Sequence, residues 1–542
     1  MLVTVKKLLI AAWAVVVANW AATANVIHVP SEAPTIQAGL DSLQDGDTVA
    51  VALGTYAEAL VAPPLSFVLR GDVIPDTGDY PRPIVDLTPL PGSDSLTCLT
   101  LPANSHPVVE DMILRNGLAM YPHLDGDGGV SSQASDPVFR RIVMDSVIYA
   151  FTDVVFDTTH TVTFESCDFR SVCQSGILAP SAAVMATDCH FTQNQAMVLH
   201  CGSHSRITSC HFDAEITPGD HMLLLEGWDN VVSNCVFEAH VLMMGSAIYI
   251  GGGSGTVHAG IEVTDNVFSG ITATLPLIFV EYDFATYPVV EILRNTFVND
   301  HVLADGMIHF ATVPRPNPEI GSTINDNLFV NCSGPVGGVT AIRLCHAANL
   351  FRNRFAALDS VNSAAIELVA ATEPTPVTLR QNLFDHTWVA FRNQDPTSTP
   401  SAALNWWGDS TGPYHSTLNP GGQGDTIVGN VDFTPWYPDT SFLEEVRRIQ
   451  APLPERFTLS AYPNPFNSTV TLKLVPSEVV IVRVELFDVL GRRVQELWSG
   501  PLAYQKTIRF DGPHLASGIY FVRVWEPVRN RPLALSKLVL LK

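Results

Sequence analysis

The segments TDCHFTQ at residues 187–193 and TSCHFDA at 208–214 share one unit, in which phenylalanine follows cysteine by two positions. Later in the chain asparagine takes the place of cysteine, as in TDNVFSG at 264–270. Nine such units lie 21 to 32 residues apart, and two weaker ones precede them near Ile113 and Ile148. A motif that recurs at this period indicates a solenoid, in which each repeat buries its apolar side against the next.

The residues around each unit predict which solenoid this is. They form short, alternating, β-branched segments, and helical periodicity is nearly absent. Such segments are typical of strands, and coils of this length fit a parallel β-helix. We therefore expect an all-β rod of about 11 coils, roughly 50 Å long at the usual strand spacing. Asparagines of successive coils would hydrogen-bond along the rod, and the phenylalanines would fill its interior.

Histidine directly follows cysteine at three places, 189–190, 210–211 and 345–346, which raises the question of a metal site. A zinc site needs four converging ligands. Neighbouring side chains of a strand point to opposite faces, so we expect Cys189 inside and His190 outside, and likewise His211 outside. The early cysteines take the position that asparagine takes later, which indicates a ladder rather than a metal site. Disulfide bonds between adjacent ladder cysteines stay open, and the nine cysteines leave at least one unpaired.

The composition limits the class of protein and its partners. With 46% hydrophobic and 15% charged residues, the chain is not largely disordered. Its formal net charge of −24 argues against nucleic acid and anionic lipid as partners, because like charges repel. The same charge would attract cations such as Ca²⁺.

Residues 1–24 have the pattern of a secretory signal peptide. Lys6 and Lys7 precede an apolar run from Leu8 to Ala18, and Ala22-Thr23-Ala24 forms the cleavage pattern. The run is too short to cross a membrane. We expect cleavage after Ala24 and a mature chain that does not span a membrane.

The start of the mature chain, IHVPSEAPTIQAGLDSL, is a strand followed by an amphipathic segment from Ile36 to Leu43. It resembles the pectin-lyase-like family of right-handed parallel β-helices, in which such a helix closes the first coil. The resemblance implies that residues 25–440 form the rod. The segment LNWWGDSTGP at 404–413 resembles the closing segment of secreted β-helix proteins. We expect Trp406 and Trp407 to seal the last coil rather than to stack on sugar.

A proline-bearing linker, 441–456, precedes a segment of opposite charge: residues from 452 onward carry +5 and those before it −29. Alternating strands and turns over 457–542 predict a small immunoglobulin-like β-sandwich. Its motifs resemble the type A C-terminal sorting domain of proteins exported by type IX secretion. The resemblance implies the type IX secretion machinery as a partner and a secreted or surface-attached location. The matching residues are Pro463, Asn464, Pro465, Phe466, Asn467, Gly491, Gly518 and Tyr520.

The rod lacks the paired aspartates of a galacturonase-type hydrolase, and sequence alone assigns no catalytic residue. One loop, HLDGDGG at 123–129, offers Asp125 and Asp127 as ligands for Ca²⁺, although a plain turn is the simpler interpretation. Two long coils carry polar clusters that either line a substrate groove or face solvent. Their residues are Glu281, Tyr282, Asp283, Tyr287, His301, Asp305 and His309.

Two functions stay open from sequence. The first is a non-catalytic, adhesin-like rod that binds glycan outside the cell. The second is a polysaccharide lyase or glycoside hydrolase that acts on acidic polysaccharide, with Ca²⁺ as the cofactor of a lyase. Carboxylates clustered with a basic residue on one strand face would favour the enzyme, whereas exposed aromatics on a flat face would favour binding.

Overall fold

The structure is a computed structural model of the whole chain. The predicted signal peptide, apart from Ala24, and the linker, apart from residues 441–442, lie outside the residues that it describes. The described residues are all except 1–23, 74–79, 91–95, 117–128, 154–159, 173–174, 193–197, 219–220, 244, 252–259, 282–288, 304–305, 312–320, 335–337, 359–362, 370–375, 443–456, 477–479, 490, 503–505, 513–514, 527–530 and 542.

Three parallel sheets run along the rod, and a regular coil contributes one strand to each. Sheet 1 contains Val26–Val29, Thr48–Val51, Ser66–Gly71, His106–Glu110, Val138–Arg140, Thr161–Glu165, Ala183–Thr187, Arg206–Thr208, Val231–Ser233, Ile261–Thr264, Val290–Leu293, Ser322–Asn325, Ala348–Phe351 and Val377–Arg380.

Sheet 2 follows sheet 1 after a sharp turn in each coil. It contains Thr55–Tyr56, Ile84–Asp86, Ile113–Arg115, Val143–Asp145, Asp168–Arg170, His190–Thr192, His211–Pro218, Val236–Met243, Val267–Ser269, Thr272–Ala273, Thr296–Val298, His301–Val302, Leu328–Val330, Arg354–Ala356 and Leu383–Asp385.

Sheet 3 completes each coil before the chain re-enters sheet 1. It contains Leu60–Val61, Leu99–Leu101, Val130–Ser132, Tyr149–Asp153, Ser175–Ala179, Leu199–Cys201, Leu223–Leu225, Ile248–Ile250, Ile278–Val280, Ile308–Phe310, Thr340–Leu344, Ala364–Leu368, Val389–Asn393, Pro413–Tyr414 and Gly424–Val428.

The stack is the expected all-β right-handed parallel β-helix. It has more coils than the about 11 that the motif counts. The strands Thr55–Tyr56 and Ile84–Asp86 belong to earlier coils of sheet 2. These coils bury Val85 where later coils bury phenylalanine, so the motif does not mark them.

The phenylalanines of the motif form one continuous column inside the rod, as expected. Phe169 and Phe191 stack with ring centroids 4.6 Å apart, and the later pairs lie 4.6–5.2 Å apart and nearly parallel. Trp407 continues the column on Phe384 at 4.8 Å and is fully buried. The expectation of a sealing tryptophan is therefore confirmed for Trp407, whereas Trp406 is only partly buried.

An asparagine ladder closes the sharp turn between sheets 1 and 2. From Asn266 to Asn382, each Nδ2 donates to Oδ1 of the next rung at 3.0–3.1 Å, and each Oδ1 accepts the backbone N–H of the preceding rung at 2.9–3.0 Å. The residue before each rung has a positive φ, such as 59° at Asp265. The buried amides are thus satisfied along the rod. The rungs are Asn266, Asn295, Asn327, Asn353, Asn382 and, beyond the expected set, Asn405.

Cysteines take the rung position in the earlier coils, as expected. Cys167, Cys189, Cys210 and Cys235 are buried and are free thiols in the structure. His190, next to Cys189, is exposed, and His211 is partly exposed, so the expected alternation is confirmed. The pair at 345–346 differs: both residues are buried, because they lie in the turn after the strand Thr340–Leu344 rather than in a strand.

A short helix covers the first coil. It spans Ile36–Asp41 and begins at Thr35, whose side chain accepts the backbone N–H of Ala38. Ile36 and Leu40 are buried and belong to the same apolar core as the first strands of the rod. The helix therefore covers apolar side chains that an open end of the solenoid would expose.

The tail forms two antiparallel sheets with a core of their own. One contains Thr458–Tyr462, Thr469–Val475 and Lys506–Asp511, and the other contains Val480–Asp488, Arg493–Leu502, Gly518–Glu526 and Arg531–Leu540. Residues of the matched motif contact the last strand of the tail. Phe466 is buried, and Asn464 accepts from the backbone N–H of Val539 at 2.8 Å and donates to Lys537 O at 2.6 Å.

Candidate functional site

The outer surface of sheet 3 carries one straight row of side chains, which we call the outer row. Its central strands alternate buried, partly exposed and buried residues, as in Ile248-Tyr249-Ile250. The parallel register places the outward residue of each strand beside that of the next. From one end to the other the row is Val61, Thr100, Ser131, Thr152, Leu178, His200, Leu224, Tyr249, Phe279, His309, Arg343, Glu367, Arg392 and Val428.

The centre of the outer row is a strip of rings. Tyr249 and Phe279 lie edge to face at 5.5 Å, and Phe279 and His309 lie 5.4 Å apart. All three side chains are partly exposed. A strip of partly exposed rings on a rigid sheet presents flat apolar faces that hydrogen-bonding groups border.

Glycine beside the strip gives Tyr249 its place. A Cβ added at Gly251 would lie 2.8 Å from Cε1 of Tyr249 and 3.1 Å from Cβ of Glu281. A larger residue would therefore push the tyrosine ring away from its present position. The glycine also leaves a gap between the carboxylates of Glu226 and Glu281, which follow the neighbouring strands at the corresponding position.

His200 forms an acid–base pair with Glu226 at one end of the strip. Nε2 of His200 lies 3.2 Å from Oε1 of Glu226. Both ring nitrogens of His200 are buried, so a molecule bound on the outer row does not reach them.

His221 stacks on Tyr249 with ring centroids 4.2 Å apart. Its Nδ1 accepts the backbone N–H of Ser246 at 3.0 Å, so its Nε2 carries the proton of the neutral ring. Burial, with a smaller contribution from the neighbouring His200, lowers the pKa of His221 to about 4. At neutral pH His221 is therefore an uncharged hydrogen-bond donor beside the strip.

The other end of the outer row is a charged network. Glu367 lies between Arg343, at 3.6 Å, and Arg392, at 3.2 Å. Gln394 also donates to Glu367 at 2.7 Å. This buried carboxylate is thus engaged by its neighbours, and it holds the two arginines in place.

The residues singled out from sequence are not brought into one cluster. Glu281 is exposed beside the strip, and His309 belongs to it. His301 lies in sheet 2, where Nδ1 contacts Ser333 Oγ at 2.8 Å, so it is not on the same face. The remaining candidates, Asp125, Asp127, Tyr282, Asp283, Tyr287 and Asp305, lie outside the described residues.

Sequence reasoning missed His200, His221, Glu226, Tyr249 and Phe279. Their signal is the outward position of short strands such as Leu199–Cys201 and Ile248–Ile250, which becomes visible only when the strands of sheet 3 are aligned. Within the described part of the chain, no three His, Cys, Asp or Glu side chains are grouped so as to hold a metal ion.

Comparison with known families agrees with both parts of the fold. The model of a right handed beta helix region matches residues 142–279. The model of a secretion system C-terminal sorting domain matches residues 460–530. A search of curated proteins gives no match.

Similar solved structures include the tailspike protein gp49 of Acinetobacter baumannii bacteriophage Fri1, a capsular polysaccharide depolymerase. It is 12% identical, covers 95% of this chain and 83% of its own, and has a TM-score of 0.31. The catalytic domain of a family GH87 α-1,3-glucanase is 12% identical over 77% of this chain and 70% of its own, with a TM-score of 0.35. Identities and TM-scores this low transfer no activity to this chain.

A third structure is a mannuronic acid specific polysaccharide family 6 lyase from human gut microbiota. It is 13% identical and covers 78% of this chain and 94% of its own, with a TM-score of 0.33.

Among the described residues of this chain, no helix is long and apolar enough to cross a membrane. The stacked sheets and the two matched models identify the chain as a right-handed parallel β-helix protein that ends in a type IX secretion sorting domain, which marks it for export.

Proposed function

We propose that this protein is an exported rod that binds polysaccharide along the outer row of sheet 3. The observation that carries the proposal is the ring strip of Tyr249, Phe279 and His309, which is partly exposed on a rigid parallel sheet. Aromatic faces pack against the C–H faces of sugar rings, and the histidines and carboxylates beside them suit sugar hydroxyls. Strand spacing sets the rings at regular intervals along the rod, which suits a linear polymer.

A second function, glycoside hydrolysis, is favoured by the gap at Gly251. Glu226 and Glu281 flank this gap two strand spacings apart, so their Cα atoms are separated by roughly 10 Å. Inverting glycosidases use two carboxyl groups far enough apart to admit a water molecule. A lyase, the other chemistry left open by sequence, would need a base other than His200, because both ring nitrogens of His200 are buried.

The experiment uses the purified full chain and a panel of neutral and acidic polysaccharides. Affinity electrophoresis reports binding, a reducing-end assay reports hydrolysis, and ultraviolet absorbance reports the unsaturated ends of a lyase. Retention of a glycan that Tyr249→Ala abolishes, without new chain ends, supports the binding rod. New reducing ends that Glu226→Gln and Glu281→Gln each abolish establish the hydrolase instead. No binding and no cleavage across the panel overturns both functions.

We also propose the finer points of export and metal binding. The signal peptide, residues 1–24, would be cleaved after Ala24, and the tail would be read by the type IX secretion machinery. We likewise propose that the rod ends at residue 440 and that the linker ends at residue 456. Ca²⁺ at Asp125 and Asp127 is tested by adding chelator to the binding assay, since a calcium-dependent loop would lose binding there.

A further inference from the structure

Two aromatic side chains are exposed at the C-terminal end of sheet 3. Trp388 is 57% exposed and Tyr414 is 42% exposed. Val389, which follows Trp388, and Tyr414 both pair with Thr426 of the intervening strand. The two aromatic residues therefore lie on either side of that strand, about 10 Å apart along the rod by strand spacing.

The backbone holds Trp388 in a conformation that disfavours side chains. Its φ is 61°, and the N–H of Val389 donates to Thr387 O at 2.7 Å, which closes a γ-turn around the tryptophan. A γ-turn with a positive φ is rare and strained. Glycine would adopt it without strain, yet the position carries the largest side chain, and most of its surface is left in water.

Both sides of this turn are fixed. The N–H and Oγ1 of Thr387 donate to Asp425 Oδ2 at 3.1 and 2.8 Å. Trp388 O accepts the N–H of Thr426 at 3.2 Å. The indole is thus carried on a rigid backbone, while its exposure means that it adds little to the stability of the fold. Strain kept at an exposed, rigid aromatic points to a binding role.

The charged groups near Trp388 indicate whether a neutral or an acidic glycan binds there. Asp385 and Asp425 lie near this turn, and His386 is 2.6 Å from Asp385. Arg392, in the strand that follows Trp388, is paired with Glu367. The whole chain carries −24. In a chain of this charge, carboxylates near the rings repel uronates and sulfated sugars. The same carboxylates accept hydrogen bonds from the hydroxyl groups of neutral sugars.

We propose that Trp388 and Tyr414 form a sugar-stacking platform that binds a neutral polysaccharide at the C-terminal end of sheet 3. The platform rests on the proposed function, because it extends the outer row toward the last coil. Together the outer row and the platform would form a binding surface that extends over several coils. It also makes neutral glycans, rather than the acidic ones considered from sequence, the better ligands.

Affinity electrophoresis of the full chain in gels of soluble β-glucan, xylan and alginate tests the platform. We expect retention by a neutral gel and little by alginate. Trp388→Ala and Tyr414→Ala should each weaken retention about tenfold, the usual scale for an aromatic anchor. Leu418→Ala is the matched control, since Leu418 is 66% exposed in the same closing segment but has no ring.

Trp388→Gly separates binding from folding. It should lose binding as Trp388→Ala does, while its Tm should be no lower than that of the wild type, because glycine relieves the backbone strain. If the gels retain both variants as strongly as the wild type, the platform is overturned, but binding along the outer row is not. A chain retained by none of the gels overturns the proposed function. Preferential retention by alginate, or loss of retention only through a change of oligomeric state, also overturns the platform.

Discussion

The backbone N–H of Cys235 donates to Oδ1 of Asn266 at 2.9 Å, where the cysteine part of the ladder meets the asparagine part. Each later rung repeats this contact and adds a side-chain donor. The ladder therefore links successive coils through groups that water cannot reach, and a missing rung leaves several of them unsatisfied.

Replacing Asn327 with alanine should destabilise the rod strongly. The change removes the acceptor of the backbone N–H and Nδ2 of Asn295, at 2.9 and 3.0 Å, and the donor to Ile292 O at 2.8 Å. Unsatisfied buried groups cost about 1–3 kcal/mol each, so the loss should be several kcal/mol. Thermal unfolding measures it. Asn349→Ala, on an exposed strand position, is the control and should stay within about 0.5 kcal/mol of wild type. Equal effects of the two changes would contradict the role of the ladder.

The ladder thiols should be unreactive in the folded protein. Burial raises the pKa of Cys167, Cys189 and Cys210 well above the ordinary value, so the reactive thiolate is scarce. Iodoacetamide at pH 8, followed by mass spectrometry, should label these cysteines only after denaturation. Peptides linked in pairs in unreduced protein would instead show that adjacent rungs have formed disulfides, and rapid native labelling would show that the rod opens there.

Asp300 should make the rod less stable as pH rises. Its carboxyl lies in the core, where Oδ1 accepts the N–H of Ile271 at 2.9 Å, and burial raises its pKa from 3.8 to about 8. The stability that the protonated form gives is fully present below pH 3.8 and is lost as pH rises to about 8, at about 1.4 kcal/mol per pH unit. Asp300→Asn keeps the acceptor and cannot ionise.

The expected result is a Tm advantage of Asp300→Asn over wild type that is near zero at pH 4 and grows toward pH 8. Asp213→Asn, at a partly exposed position, is the matched control and should show no such growth. A constant difference between Asp300→Asn and wild type at all pH values would mean that Asp300 is not protonated in the folded state.

Sequence predicts the interior of this rod better than its surface, for a physical reason. The phenylalanine column and the asparagine rungs repeat because each must stack on the residue one coil away. Tyr249 and Phe279 lie on the outer face, where no such requirement imposes a repeat, so they become visible only once the register of sheet 3 is known. The two early coils escaped the motif because aliphatic residues such as Val85 fill the core there.

The tail should tolerate Asn467→Ala in folding but not Asn464→Ala. Both asparagines are exposed, but Asn464 uses both ends of its amide to hold the last strand. Loss of these two solvent-exposed hydrogen bonds should cost about 1 kcal/mol and lower the Tm of the tail. Cell fractionation should then show Asn467→Ala retained in the periplasm with an unchanged Tm, if the exposed motif is read by the export machinery. Normal export of Asn467→Ala would assign the motif a purely structural part.

Gly251→Ala should weaken glycan binding with little effect on folding. The new Cβ would meet Cε1 of Tyr249 at 2.8 Å, so the ring must move out of the strip it forms with Phe279. Because the ring is partly exposed, it can swing toward solvent, and the Tm should fall by no more than a few degrees. Affinity for the retained glycan should fall about tenfold. Gly421→Ala is the control, since a Cβ there meets no atom within 4 Å. If the Gly251→Ala chain folds and binds as the wild type does, the glycan binds elsewhere on the rod. A glycan that lies along the outer row would contact Tyr249, so displacement of that ring would weaken its binding.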